Sequence, residues 1–180
     1  MDHLLISDLL RIDELDAYQK LIKKSKAIYV IHFAKALGIH VFLDKNMTDS
    51  ENGQLRYDDG ATIPYIVINK NHDYFFKRYV IVHKLTEYLF IRIPEVFDDY
   101  SSKEVVATCN TIARDILVPK ELFLKVVCQS YRYYFIRFLL KFGFIDYDEY
   151  CNRKDLIIAK YFKVPSKIIT LRKNELLGII

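Results

Sequence analysis

The stretch Pro64-Tyr65-Ile66-Val67-Ile68-Asn69 constrains the fold of this chain more than any other. It is rich in β-branched residues and bounded by turn residues, so it reads as a strand. A helical pattern follows within a few residues, from Tyr74 through Leu89, and Pro94 stops whatever remains of it. The other strand-like segments lie just upstream. Ile39 to Leu43 reads as a short strand, and Gln54-Leu55-Arg56-Tyr57 as a possible one inside an Asn-, Asp-, Ser- and Gly-rich stretch from Asp44 to Gly60, with Asp59-Gly60 as a turn. From Asp13 to Leu37, apolar residues recur at three- and four-residue spacing (Leu15, Tyr18, Leu21, Ile22, Ile28, Ile31, Ala34, Leu37). That predicts an amphipathic helix broken once near Ser25, with Gly38 in the left-handed position after its end. Downstream, Ser101 or Ser102 with Glu104 caps a helix running to about Leu117, and Pro119 opens the next. Strands gathered between helices predict an α+β fold, a small sheet packed on helices.

About half of the 180 residues are apolar, enough to bury a core, and the formal charge of +4 does not by itself call for a nucleic-acid partner. Cys109, Cys128 and Cys151 form no CxxC pair and no even set. They suit a reducing compartment and read as small buried hydrophobes rather than a disulfide framework. The first residues carry acids among their apolar positions, unlike a signal peptide, and every apolar run is broken by charge. A cytoplasmic protein with no membrane association is expected.

The chemistry-bearing stretch is Arg78 to Phe90, a helix directly after the strand. Zinc peptidases use His-Glu-x-x-His here: two His ligands share one helix face and the Glu between them is the general base. This window reads His83-Lys84-Leu85-Thr86-Glu87.

The flanks resemble the ImmA/IrrE metallopeptidase family along nearly the whole chain. Ala34-Lys35-Ala36-Leu37-Gly38-Ile39-His40-Val41 is similar to its A-x-x-L-G-I-x-V. Ile66-Val67-Ile68-Asn69 matches its I-x-I-N, Arg78-Tyr79 its Arg-aromatic pair, and Val82 to Glu87 stands where that family has A-H-E-L-G-H. Thr108-Cys109-Asn110-Thr111-Ile112-Ala113-Arg114-Asp115-Ile116-Leu117-Val118-Pro119 corresponds to E-A-N-x-F-A-A-E-L-L-M-P, with Asn110, Ala113, Leu117 and Pro119 fixing the register. The resemblance implies a zincin-like metallopeptidase fold with a degenerate zinc site. Of its two His ligands, base and ligand Glu, only His83 is kept; Lys84 stands at the base, Glu87 at the second His and Thr108 at the third ligand. A protonated Lys cannot take the water's proton, and it repels a dication. No catalytic residue is therefore expected. If zinc binds at all, His83 and Glu87 at i, i+4 would hold it, with Glu104, one turn before Thr108, as a possible third ligand.

The last residues predict helix, tight turn, helix over 153–176, with Ala159 at the crossing, Val164 and Ile169 in the core and Pro165-Ser166 opening the second helix. Relatives of the family often end in a similar segment. A helix-turn-helix would present Ser166, Lys167, Thr170, Lys173 and Asn174 to DNA, although Lys163 stands where the turn usually has Gly. The aromatic run Tyr131 to Leu140 could stack on nucleic acid, but its helical period favours core packing. The expected organisation is a peptidase-like domain over 1–127 and a helical segment over 128–180.

Members of the family typically sit beside a helix-turn-helix repressor in prophages and mobile elements and cleave it. The resemblance thus implies an inactive homologue that binds a repressor-type protein partner. The alternatives are a zinc peptidase with altered ligands and a DNA-binding regulator acting through 153–176.

Overall fold

The computed structural model describes residues 6–24, 28–93, 100–128 and 133–178, and the side chains of 22–24 are outside that description. Chain contacts divide it into two compact units, Met1–Leu117 and Val118–Ile180. The sequence suggested a division after residue 127. The structure instead groups helix 120–128 with the second unit: Phe123 meets the Phe162 ring at 6.4 Å and Tyr133 Oη donates to the Val126 carbonyl.

In the first unit, α1 (Ile6–Leu9), α2 (Ile12–Lys24) and α3 (Val30–Ala36) precede the strands β1 (Val41–Asp44), β2 (Gly53–Arg56) and β3 (Tyr65–Asn69). α4 (Tyr74–Ile91) and α5 (Ser102–Leu117) follow. The predicted break near Ser25 and the stop at Pro94 lie outside the described residues. Gly38 is left-handed at φ 74°, as its place after α3 requires. Ile31, which the periodicity put on the apolar face of its helix, is half exposed instead, because α3 begins only at Val30 and turns Val30, Phe33 and Ala34 inward.

The sheet order is β1-β3-β2, with β1 parallel and β2 antiparallel to β3. The central strand β3 is therefore the buried one: Ile66 and Ile68 are fully inaccessible. Gly53 is required by close packing, since a Cβ there would come within 2.8 Å of Ile68 and Val80 side-chain atoms. α4 lies against this face. Asp73 caps it by accepting from the Phe75 and Phe76 amides, and Val82, Leu85, Leu89 and Phe90 form its buried stripe.

The second unit holds α6 (Lys120–Cys128), α7 (Tyr134–Lys141), α8 (Tyr147–Phe162) and α9 (Ser166–Leu176). The α8–α9 turn is tight. Lys163 adopts φ 55°, the left-handed conformation the missing glycine would have taken, and Val164 and Ile169 are fully buried below it. The expected core packing of the aromatic run fails in its described part. Tyr133 is buried, but Tyr134 and Phe135 are largely exposed and Phe138 partly so, because only Ile136 of α7 points into the unit; Tyr131 and Arg132 lie outside the described residues. Of the three cysteines, only Cys109 is buried. No described helix is long and apolar enough to cross a membrane.

Candidate functional site

The site lies in the first unit, on the stripe of α4 turned away from its buried face. Tyr79, His83 and Glu87 follow at i, i+4, i+8, all half-buried, with Lys84 beside them. They line or flank a cleft of about 380 Å³, closed by Ser50 to Gln54 of β2 and its lead-in, by Phe76 and Val80 of α4, and by Asn110 of α5.

Three side chains that enter the sequence only as family-motif matches, Asn69, Tyr79 and Asn110, hold this cleft together. Asn69 ends β3 wholly buried. Its amide nitrogen donates to the Thr48 and Glu51 carbonyls at 2.8 and 3.0 Å, and its oxygen accepts from the Asn71 amide. That pins the loop leading into β2. Tyr79 Oη donates to Asn110 Oδ1 at 2.6 Å and so ties α4 to α5 at the cleft. A polar residue closing a strand of apolar ones was the sequence signal for Asn69. Nothing local signalled the Tyr79–Asn110 pair, whose partners are 31 residues apart. Arg78 is also structural: its guanidinium, buried beneath Tyr74, donates to the Ile28 carbonyl at 2.9 Å.

At the zinc-motif positions the two replacements form an ion pair beside the retained imidazole. Lys84 Nζ donates to Glu87 Oε2 at 2.6 Å. Burial and the Lys84 charge lower the pKa of His83 below its ordinary value, against the opposing pull of Glu87, so the ring is held toward its neutral form. The candidate third ligand Glu104 is engaged elsewhere. Its carboxylate accepts from the Ser101 amide at 2.9 Å and from the Ser101 hydroxyl at 2.6 Å, while Ser101 Oγ accepts from the Glu104 amide, a capping box at the exposed start of α5. Thr108 stands at the family ligand position, half-buried. The adjacent Cys109 thiol is pushed up to about 12, mainly by burial, so it is no ready thiolate ligand.

Among the described residues no group of three His, Cys, Asp or Glu side chains comes together as a metal cage. The donors present do not fit the family's zinc site: one imidazole, one carboxylate already bound to an ammonium, and a threonine.

In the second unit, the five residues singled out for DNA contact do not form one free face. Lys173 Nζ bonds both oxygens of Asp155 on α8, at 2.9 and 3.1 Å, and Thr170 Oγ1 lies 3.4 Å from the same carboxylate. Ser166 and Lys167 are exposed and Asn174 half-buried. Asp155 thus engages Lys173, while Thr170 stays exposed.

A family model described as the IrrE N-terminal-like domain matches residues 34–173. No curated protein matches the chain. Among solved structures, a Mycobacterium tuberculosis transcriptional regulator is similar, with 14% identity and a TM-score of 0.51 over 94% of this chain. The chain spans 48% of that protein's length, and at such identity the likeness is one of fold alone. The family match runs from the end of α3 through the cleft to α9, and by it the chain belongs to the ImmA/IrrE family.

Proposed function

We propose that this chain is a catalytically inactive metallopeptidase homologue of a phage or mobile element, a cytoplasmic regulator that binds a helix-turn-helix repressor without cutting it. The Lys84–Glu87 ion pair carries the reading. It fills the positions of the general base and second ligand with two charges that satisfy each other, so neither activates water nor invites a dication. What survives is a cleft beside β2, a strand bonded among the described residues on one side only, to β3. An extended peptide could add to such an edge through main-chain hydrogen bonds. Relief of repression would then follow from occupancy.

The test mixes the purified chain with the repressor encoded beside it and follows both by mass spectrometry and operator release. Release that saturates near one chain per repressor, with the repressor intact, is the expected result. Accumulation of repressor fragments in molar excess over the chain would overturn the proposal.

A further inference from the structure

The edge of the sheet opposite the cleft carries a second surface. Among the described residues β1 pairs only with β3, and its backbone alternation is fixed by two bonds: the Ile66 amide donates to the His40 carbonyl at 2.8 Å and the Lys70 amide to the Asp44 carbonyl at 2.9 Å. Residues 40, 42 and 44 therefore turn their main-chain groups toward β3. Val41 and Leu43 turn theirs outward, to an open edge. The side chains there are unusually apolar for an exposed position: Phe42 and Leu43 are 54% and 56% exposed. Next to Leu43 opens a groove of about 380 Å³, walled by Tyr29, Ile31 and Tyr74, each more than half exposed.

The edge is complementary to itself. Place a second copy antiparallel about a two-fold axis through Phe42, and Val41 falls opposite Leu43 of the second copy. Their outward amides and carbonyls then form hydrogen-bonded pairs, four bonds in all by symmetry. Phe42 meets Phe42 as a non-hydrogen-bonded pair, with Cα atoms about 4.5 Å apart, where aromatic side chains interact best. The same register sets exposed His40 opposite Asp44 of the other copy, a cation-accepting carboxylate facing an imidazole at both ends. A slip by one residue would lose the bonds and the charge match together. The Phe42 ring is already steadied by an edge contact to Tyr65 at 5.6 Å and a tilted one to His40 at 6.4 Å. Meanwhile Val41 and Leu43 of the second copy point to the same side as the groove. The five exposed apolar side chains offer roughly 500 Å² per copy, so covering all of them in a pair would bury about 1,000 Å², the lower bound for a specific interface.

We infer that the chain self-associates through β1, the outward main-chain groups of Val41 and Leu43 pairing antiparallel with their symmetry mates to join two three-stranded sheets into one of six.

Analytical ultracentrifugation of the full chain across a micromolar concentration series tests this. A monomer–dimer equilibrium is expected, weakened at least about tenfold by Phe42→Lys, which sets two ammonium groups against each other at the axis. His40→Asp should weaken it several-fold by facing Asp44, and His40→Lys should tighten it. These positions are exposed, and circular dichroism with a thermal melt establishes that each variant is folded. A monomer at every concentration overturns the inference. A dimer indifferent to Phe42→Lys places the interface elsewhere and overturns it equally, as does a dimer that responds in the same direction to both His40 variants.

Discussion

At Asn69 a fully buried amide is reconciled with an apolar strand by three hydrogen bonds, two given to carbonyls and one taken from an amide. Asn69→Ala strands those carbonyls and releases the 48–51 loop, so chemical denaturation should show a loss of about 2–4 kcal/mol. Asn69→Asp should cost a similar amount, because a carboxylate cannot donate to Thr48 and Glu51. A loss under about 1 kcal/mol in both would mean the loop is held by other contacts. The same scale governs the metal question. Lys84→Glu, Glu87→His and Thr108→Glu together rebuild the family's donor set around His83. Elemental analysis should find about one zinc per chain in that triple variant, abolished by adding His83→Ala. Failure to take up zinc would mean that Thr108 on α5 does not face α4 as the motif register requires. The identities of these residues were plain in the sequence, but the pairing of Lys84 with Glu87 was not. At i, i+3 the two can meet or point into solvent, and only the half-buried surroundings of the cleft decide.

Elements in this chain are recognisable where their ends are chemically marked. Asp73 and the Ser101–Glu104 box start α4 and α5 where capping residues predict, and Asp146 caps α8 by accepting from the Glu149 amide. Contacts between elements were invisible. Arg92, closing α4, makes a bidentate pair with Glu14 on α2 at 2.6 and 2.8 Å, across 78 residues. Burial raises the Glu14 pKa, but the Arg92 hydrogen bonds, the Arg11 amide and the Arg92 charge outweigh it, and the net shift is downward. The pair's stabilisation is thus complete above the unfolded carboxylate value of about 4.3 and is lost as the pH falls through the lower folded value. Arg92→Leu should cost about 2–3 kcal/mol at neutral pH, and the gap to the parent should close on acidification below about pH 4. A gap constant from pH 7 to 3 would assign the loss to packing instead. At the other end of the chain, Lys163 holds a left-handed conformation that costs a side chain about 1 kcal/mol relative to glycine. Lys163→Gly should raise stability by about that amount in a thermal or urea melt.

Over the whole molecule the two units have separate cores, and this explains why the α+β class could be read from the sequence while the fate of its aromatic residues could not. Periodicity tells which residues share a helix face; it does not tell whether a face has a partner. α4 has the sheet on one side and α5 beside it, so its apolar stripe is buried as periodicity implies. α7 has an equally apolar composition but buries only Ile136 among its residues, since the second unit is too small to cover every ring it carries. Its core instead holds Phe162, fully inaccessible and in contact with Phe123 and Tyr161, and the buried Arg172, which donates to the Val118 carbonyl at 3.1 Å. Two such cores should open as separate cooperative units. Phe162→Ala removes a large, fully buried ring from the second and should cost that unit about 3–5 kcal/mol. Amide hydrogen exchange should therefore accelerate by orders of magnitude in α8 and α9, while the slow amides of β3 and α4 keep their rates. Equal acceleration in β3 would show instead that the chain opens only as a whole, with the boundary at Leu117 marking a change of packing and not of cooperativity.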